Sequence, residues 1–161
     1  MKNILLVINL FCMTCFAQKK AIVTDTCFAF GYKFILAEKD NIAFIKAYRN
    51  NQEVLISKTV KMCPPVYFVE QNRKNKVLQD EVLLKNGNIV KVLLMVGNEA
   101  PECTRKNKNL KYKDGFCGMN VQGIVIAPNG IRLTEFMYND FTCKKENYLG
   151  MKDLYTFAHS K

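Results

Sequence analysis

Two apolar runs joined by Asn86-Gly87 do most to limit the folds open to this chain. The dipeptide favours a type I′ hairpin turn, because both central residues of that turn need positive φ. The second run, 89–96, is apolar on both faces apart from Lys91, which is typical of a central strand covered on both sides. The first run, 76–85, also permits a helix, but the adjoining turn favours a strand.

A second alternating pattern lies at residues 53–62, after the apolar stretch 41–49 and the polar residues 50–52. It predicts a half-buried strand that returns from a hairpin. Lys58 is an exception on the apolar face, whose other residues are Val54, Ile56, Val60 and Met62. Pro64 and Pro65 then end the strand, because proline has no N–H for a sheet.

A third hairpin is predicted over residues 123–138, where Pro128 and Gly130 suit a turn. The stretch 144–157 permits one helical turn or an edge strand. Together these patterns predict a mostly β chain. The expected fold is a single antiparallel β sandwich or partly closed barrel with roughly seven to nine short strands and little helix. An α+β fold is the alternative.

The N-terminus has the three parts of a secretory signal peptide. Lys2 precedes an apolar run, 4–16, and Ala17 provides a small residue at the cleavage site. The run is shorter than the roughly 20 apolar residues of a membrane-spanning helix. We therefore expect residues 1–17 to be removed and residues 18–161 to form one secreted or periplasmic domain without a transmembrane segment.

Five cysteines remain after the expected cleavage, and an oxidising compartment favours disulfides between them. A short separation across a polar loop favours a Cys103–Cys117 bridge, and Cys63–Cys143 is the second choice. Cys27 is then the unpaired thiol, which we expect to be buried, because free cysteine is among the most buried residue types.

The segment between Cys103 and Cys117 holds five basic residues and one acidic residue. Cleavage removes one basic residue, so the net charge of +10 falls by one to +9, and this loop carries almost half of it. A basic loop closed by a disulfide is predicted to bind an anionic partner through Arg105, Lys106, Lys108, Lys111, Tyr112 and Lys113. A second basic cluster is formed by Arg73, Lys74 and Lys76.

The sequence contains few of the residue types and motifs that common catalytic sites use. Its one histidine, His159, lies near the C-terminus, and only Ser57 and Ser160 remain as serines after the expected cleavage. A catalytic triad, a clustered zinc site and a phosphate-binding glycine motif are therefore not expected, and no cofactor or metal is predicted. Glu135 and Asp140 are the carboxylates considered for a hydrolase.

These observations predict an exported, non-enzymatic binding module for an anionic partner, namely an acidic polysaccharide, a lipopolysaccharide or an acidic protein. Nucleic acid is not the expected partner. One alternative is a secreted, carboxylate-dependent hydrolase of envelope polymers, and another is a periplasmic inhibitor of a hydrolase. The simplest competing interpretation is that the lysines keep a β protein soluble and protect its sheet edges.

Overall fold

The computed structural model describes residues 20–71, 76–101, 115–139, 141–146 and 151–160. These residues form fourteen β-strands and one α-helix, and eight of the strands are three residues or longer. The prediction of a mostly β fold is confirmed. The strands are β1 (Ile22–Ala29), β2 (Tyr32–Lys39), β3 (Ile42–Arg49), β4 (Gln52–Val54), β5 (Ile56–Ser57), β6 (Tyr67–Phe68), β7 (Glu70–Gln71), β8 (Lys76–Val77), β9 (Gln79–Leu83), β10 (Ile89–Glu99), β11 (Cys117–Ala127), β12 (Gly130–Tyr138), β13 (Thr142–Cys143) and β14 (Lys145–Glu146), and the helix is α1 (Met151–His159).

The strands form three sheets. Sheet A has the order β1-β2-β3-β4, with every pair antiparallel. Sheet B has the order β5-β12-β11-β10-β6, and β13 and β9 are paired to β11 and β10. Sheet C is a small sheet of order β14-β7-β8. No sheet formed by the described residues closes into a barrel, and the arrangement is sandwich-like.

Sheet A is a meander with two-residue turns that need positive φ at both positions. The turns are Phe30-Gly31, Asp40-Asn41 and Asn50-Asn51, and all six residues have φ between 51° and 80°. The first and the third turn lie at the same end of the sheet, because β2 and β3 run between them. This end holds the candidate site described below.

The segment 53–62 crosses between the two large sheets instead of forming one strand. Its first part, β4, pairs with β3 in sheet A, whereas β5 pairs with β12 in sheet B. The prediction of one continuous strand is therefore wrong, although the hairpin and the apolar face are confirmed, since Met62 is buried in the core. Lys58, the exception in the pattern, has a φ of 69° just after β5, where the strand conformation ends.

The β9–β10 hairpin is confirmed, but its predicted turn type is wrong. Only Gly87 has positive φ, at 81°, and its N–H donates to the carbonyl of Leu84. The loop therefore has the three-residue form in which a single glycine takes the left-handed conformation. Gly87 meets that requirement at no steric cost, so the hairpin forms with Asn86 in an ordinary conformation.

Strand β10 is central in sheet B and is covered on both faces, as its sequence predicted. Leu93 and Met95 enter one core, which also contains the inner face of sheet A. Val92, Leu94 and Val96 enter a second core on the other face of the sheet. The period of two along a strand puts these sets on opposite sides, so the molecule is layered as sheet A, sheet B and helix.

Helix α1 covers the second core and is longer than the single turn considered from sequence. Its side chains Leu154, Phe157 and Ala158 are buried against sheet B. Gly123 allows this approach, because a Cβ at that position would lie 3.0 Å from Phe157. Among the described residues, no helix has the length and apolar character that a membrane crossing requires.

Candidate functional site

The basic loop predicted to bind a partner lies outside the described residues. This applies to Arg105, Lys106, Lys108, Lys111, Tyr112 and Lys113, and to Arg73 and Lys74 of the second basic cluster. Lys76 is described and is an exposed residue of β8. The loop therefore remains a prediction from sequence.

The structure corrects the predicted disulfides. Cys117 is bonded to Cys143, so the predicted Cys103–Cys117 and Cys63–Cys143 bridges are wrong. Cys117 in β11 and Cys143 in β13 face each other directly in an antiparallel pair, and both are buried. Strand pairing, rather than short sequence separation, brought the two sulfurs together.

Two further cysteines of the described residues are free, and their surroundings differ. Cys27 is buried in the core below sheet A, as predicted, and burial, followed by the nearby Asp25 charge, raises its pKa to about 12. A thiol with such a pKa remains protonated and is a poor nucleophile. Cys63 is exposed.

Glu135 is a surface carboxylate that forms ion pairs with two lysines. Lys58 Nζ lies 3.2 Å from one of its oxygens, and Lys61 Nζ contacts the other. The hydrogen bond from Lys61, followed by that from Lys58, lowers the pKa of Glu135. A general acid needs a raised pKa, so this environment is the reverse of the one required for protonating a leaving group. Asp140 lies outside the described residues.

A cavity of about 620 Å³ opens at the end of sheet A that carries the first and third turns. Its volume is within the roughly 300–1,000 Å³ of ordinary ligand pockets. We call it the aromatic–basic cleft, because rings, amides and a lysine form most of its wall. It is lined by Phe28, Ala29, Phe30, Gly31, Tyr32, Lys33, Ile35, Tyr48, Asn50, Asn51 and Gln79.

Phe30 has a backbone conformation that is unusual for a bulky residue. Its φ is 52°, whereas the equivalent positions of the other two turns are Asp40 and Asn50, which tolerate the left-handed region better. The Phe30 ring packs against the core and has Lys91 Nζ at 4.9 Å from its centroid. The turn therefore places the Phe30 ring at the edge of the cleft. The positive φ costs phenylalanine more conformational free energy than it would cost asparagine.

Cations lie over three rings of the cleft wall. Besides Lys91 over Phe30, Lys33 Nζ is 6.0 Å from the Phe28 centroid and Arg49 Cζ is 5.4 Å from that of Tyr32. Such contacts attract a cation to the negative face of a ring. Within the described part of the chain, neither Lys33 nor Arg49 has a carboxylate within salt-bridge distance.

The strand register sets the order of these side chains on the outer face of sheet A. Phe28, Lys33, Tyr48 and Glu53 are directly opposite one another across β1 to β4, so they form one row. Phe28 is 76% exposed. The acidic residue at the end of this row, Glu53, forms an ion pair with Lys46 at 3.2 Å. Lys33 thus stands between two rings and has no acidic neighbour in the row.

A second, more polar cavity of about 420 Å³ lies beside the cleft, next to a cluster of charges. Lys144 Nζ is 3.0 Å from Asp25 and 3.3 Å from Glu70, and it lies 4.9 Å from the Tyr67 ring centroid. Burial lowers the pKa of Lys144, but the hydrogen bond and charge of Asp25, with those of Glu70, outweigh it and leave the pKa raised. Lys144 therefore remains charged and forms an ion pair with each of the two acids.

No triad of metal-ligating side chains is assembled by the described residues. Comparisons of the chain with protein family models, with curated proteins and with solved structures found no match. The arrangement of rings and cations at the end of sheet A is therefore the best guide to function.

Sequence reasoning missed the cleft because its residues are scattered over two hairpins. A signal was present in the dipeptides Phe30-Gly31 and Asn50-Asn51, which mark two tight turns. Alternation along β1 also places Phe28 on the face opposite to buried Cys27. Only the pairing of β2 with β3 brings Tyr48 beside Lys33.

Proposed function

We propose that the protein is an exported, non-enzymatic binding module for an acidic polysaccharide and that the aromatic–basic cleft is its binding site. The observation that carries this proposal is the set of cations placed over rings around a cavity of about 620 Å³. Export is supported by the Cys117–Cys143 disulfide, which an oxidising compartment maintains, together with the N-terminal signal pattern.

Each group of the cleft fits one part of an acidic sugar. The exposed Phe28 ring offers a flat apolar surface, which suits the C–H face of a pyranose. Lys33 in the wall, and Arg49 over the Tyr32 ring beside it, supply positive charges for a carboxylate or sulfate, and Arg49 is also suited to a bidentate contact. Asn50 and Asn51 are exposed amides that donate and accept hydrogen bonds with hydroxyls.

An acidic polysaccharide fits this surface better than an acidic protein does. The cleft is a concave space between hairpin ends, with rings in its wall, whereas a protein partner of standard size covers about 800 Å² on each side. The net charge of +10, or +9 after the expected cleavage, adds a long-range attraction for any polyanion. The predicted basic loop at 103–117 would add to this attraction.

Binding to a sulfated or uronic-acid polysaccharide tests the proposal, with heparin and polygalacturonate as probes. The double variant Lys33→Gln, Arg49→Gln should elute from heparin at lower salt than the parent and bind polygalacturonate at least roughly tenfold more weakly. Binding should weaken with added salt, because the Debye length falls to about 8 Å at 0.15 M.

A matched control removes the same charge from the other end of sheet A. Lys20 and Lys39 line a separate cavity beside the Asp40-Asn41 turn, so Lys20→Gln, Lys39→Gln changes the net charge equally. This control should bind nearly as well as the parent. Equal weakening by both double variants would show that attraction depends on total charge alone, which would refute the cleft as the site.

A separate variant tests the predicted loop. Replacing Arg105, Lys106, Lys108, Lys111 and Lys113 by glutamine should lower heparin affinity if the loop contributes to binding. Unchanged elution of this variant would remove the loop from the proposal and leave the cleft as the site.

A further inference from the structure

The aromatic–basic cleft and the polar cavity are neighbours that share part of their walls. Phe28 and Gln79 line both of them. Phe28 belongs to β1, the edge strand of sheet A, and its side chain is 76% exposed. The two cavities therefore form one groove, with an accessible ring at the point where they meet.

The polar cavity differs from the cleft in its charges. Asp25, Glu70 and Lys76 line it, and Lys144 binds both acids at its side. Two negative and two positive groups leave this part of the groove without net charge. The position between Asp25 and Glu70 that a bound cation would take is held by the Lys144 ammonium group.

We propose, on the basis of the proposed function, that the ligand is a chain of several sugar residues that crosses Phe28. An anionic residue lies in the aromatic–basic cleft beside Lys33, and a neighbouring residue places its hydroxyls in the polar cavity. The carboxylates of Asp25 and Glu70 disfavour a second anionic group there, whereas hydroxyls bond to both carboxylates and lysines.

The sizes of the two cavities favour a chain over a single small anion. About 620 Å³ and about 420 Å³ each fall in the range of a ligand pocket, so one small anion would leave most of the groove filled with water. A chain that crosses the ring also removes the exposed apolar surface of Phe28 from water. That gain is larger than for a ligand which fills the cleft alone, because Phe28 lines both cavities.

The test compares an acidic disaccharide with an acidic hexasaccharide, using oligogalacturonides and isothermal titration calorimetry. The affinity of the parent for the hexasaccharide should exceed its affinity for the disaccharide by roughly tenfold or more. This factor is in addition to the statistical gain from the larger number of registers in which the hexasaccharide can bind. Equal affinity after that correction would overturn the inference and leave the proposed function intact. Absence of binding by either oligosaccharide would overturn both.

A variant that changes the polar cavity alone tests whether this cavity is a second subsite, that is, the place where a neighbouring sugar residue of the chain binds. Thr26→Val with Lys76→Gln changes two exposed residues that line this cavity and not the cleft. It should lower hexasaccharide affinity to the disaccharide level and leave disaccharide affinity unchanged. Lys20→Gln, Lys39→Gln should retain the full length dependence.

Two outcomes of this variant count against the second subsite. If its hexasaccharide affinity equals that of the parent, the chain does not enter the polar cavity. If disaccharide binding falls as well, the variant acts on the cleft or on total charge. Circular dichroism and the thermal midpoint establish that both double variants are folded, so a loss of binding cannot be assigned to unfolding.

Discussion

Sheet B is buried on both of its faces, whereas sheet A is buried on only one. In β10 the side chains of Val92, Leu93, Leu94, Met95 and Val96 are all fully buried, on two opposite faces. In sheet A, Phe34 on the inner face is fully buried, while Phe28 on the outer face is 76% exposed. Sheet A contacts the core from one side and has rings and lysines on the other.

The difference separates the residues that hold the fold from those that are available to a ligand. The buried residues of the central strands of sheet B have neighbours on every side, so a change there costs stability. Residues on the outer face of sheet A can change with little effect on the core, which is the usual condition of a binding surface built on a rigid scaffold. Four predictions test this separation, from the largest expected effect on stability to the smallest.

The helix-covered face of sheet B should give the largest effect. Phe157→Ala removes a fully buried ring from the second core and should lower the free energy of unfolding by about 3–5 kcal/mol. Tyr155→Ala, at an exposed position of the same helix, is the control and should cost much less. Chemical denaturation measures both. Similar losses for the two variants would mean that burial by α1 is not what stabilises this face.

The disulfide at the edge of sheet B should give the second largest effect. Cys117→Ala with Cys143→Ala opens a bridge with a sequence separation of 26, which the chain-entropy model values at about 3.5 kcal/mol. Non-reducing peptide mapping of the parent should recover Cys117 joined to Cys143. Recovery of Cys117 joined to Cys103 instead would contradict the pairing of β11 with β13.

Lys144 links sheet A to the small sheet C, and its effect on stability should be intermediate. It contacts Asp25 of sheet A and Glu70 of sheet C, so Lys144→Gln leaves two partly buried carboxylates without their cation. We expect a loss of about 1.5–3 kcal/mol at neutral pH, as for hydrogen bonds to charged groups. Lys46→Gln, which removes an exposed ion pair on the outer face of sheet A, should have little effect.

The pH dependence of the Lys144 effect follows from the raised pKa of that residue. A raised pKa in the folded state means that the stabilisation is fully present below the ordinary lysine pKa of 10.5 and is lost as pH rises through the higher folded value. The difference between parent and Lys144→Gln in unfolding free energy should therefore be constant from about pH 7 to 9 and shrink above pH 10.5. A difference that stays constant through the alkaline range would contradict the ion-pair explanation.

The outer face of sheet A should give the smallest effect on stability. Phe28→Ala should change the free energy of unfolding by less than about 0.5 kcal/mol, because the ring is mostly exposed. The same variant should weaken binding of acidic oligosaccharides. A loss of stability comparable to that of Phe157→Ala would show that this face is structural and would remove the distinction between the two sheets.

Much of the fold could be predicted from sequence, because its signals are local. The run 89–96 shows its central position by being apolar on both faces, and the alternation at 53–62 correctly assigns Met62 to the core. Lys58 breaks the alternation at the position where the strand ends. The crossing from sheet A to sheet B was missed, because period-two alternation fixes faces but not strand partners.

The site was far less predictable than the fold. The sequence drew attention to the lysines at 105–113, which are close together along the chain. The cleft instead combines Phe28 of β1, Lys33 of β2 and Tyr48 of β3, and each of these is an ordinary surface residue when considered alone. Their common position follows from cross-strand register, which depends on three successive tight turns acting together.

By itself, the sequence determined the strand periods, the turn positions and the burial of Cys27, because backbone geometry and hydrophobicity act between near neighbours along the chain. The tertiary structure alone decided that Cys117 meets Cys143, that α1 covers sheet B, and that rings and cations meet at one end of sheet A. These contacts join residues far apart in sequence. Their choice depends on which pairing of whole strands buries the most apolar surface, and no local pattern contains that information.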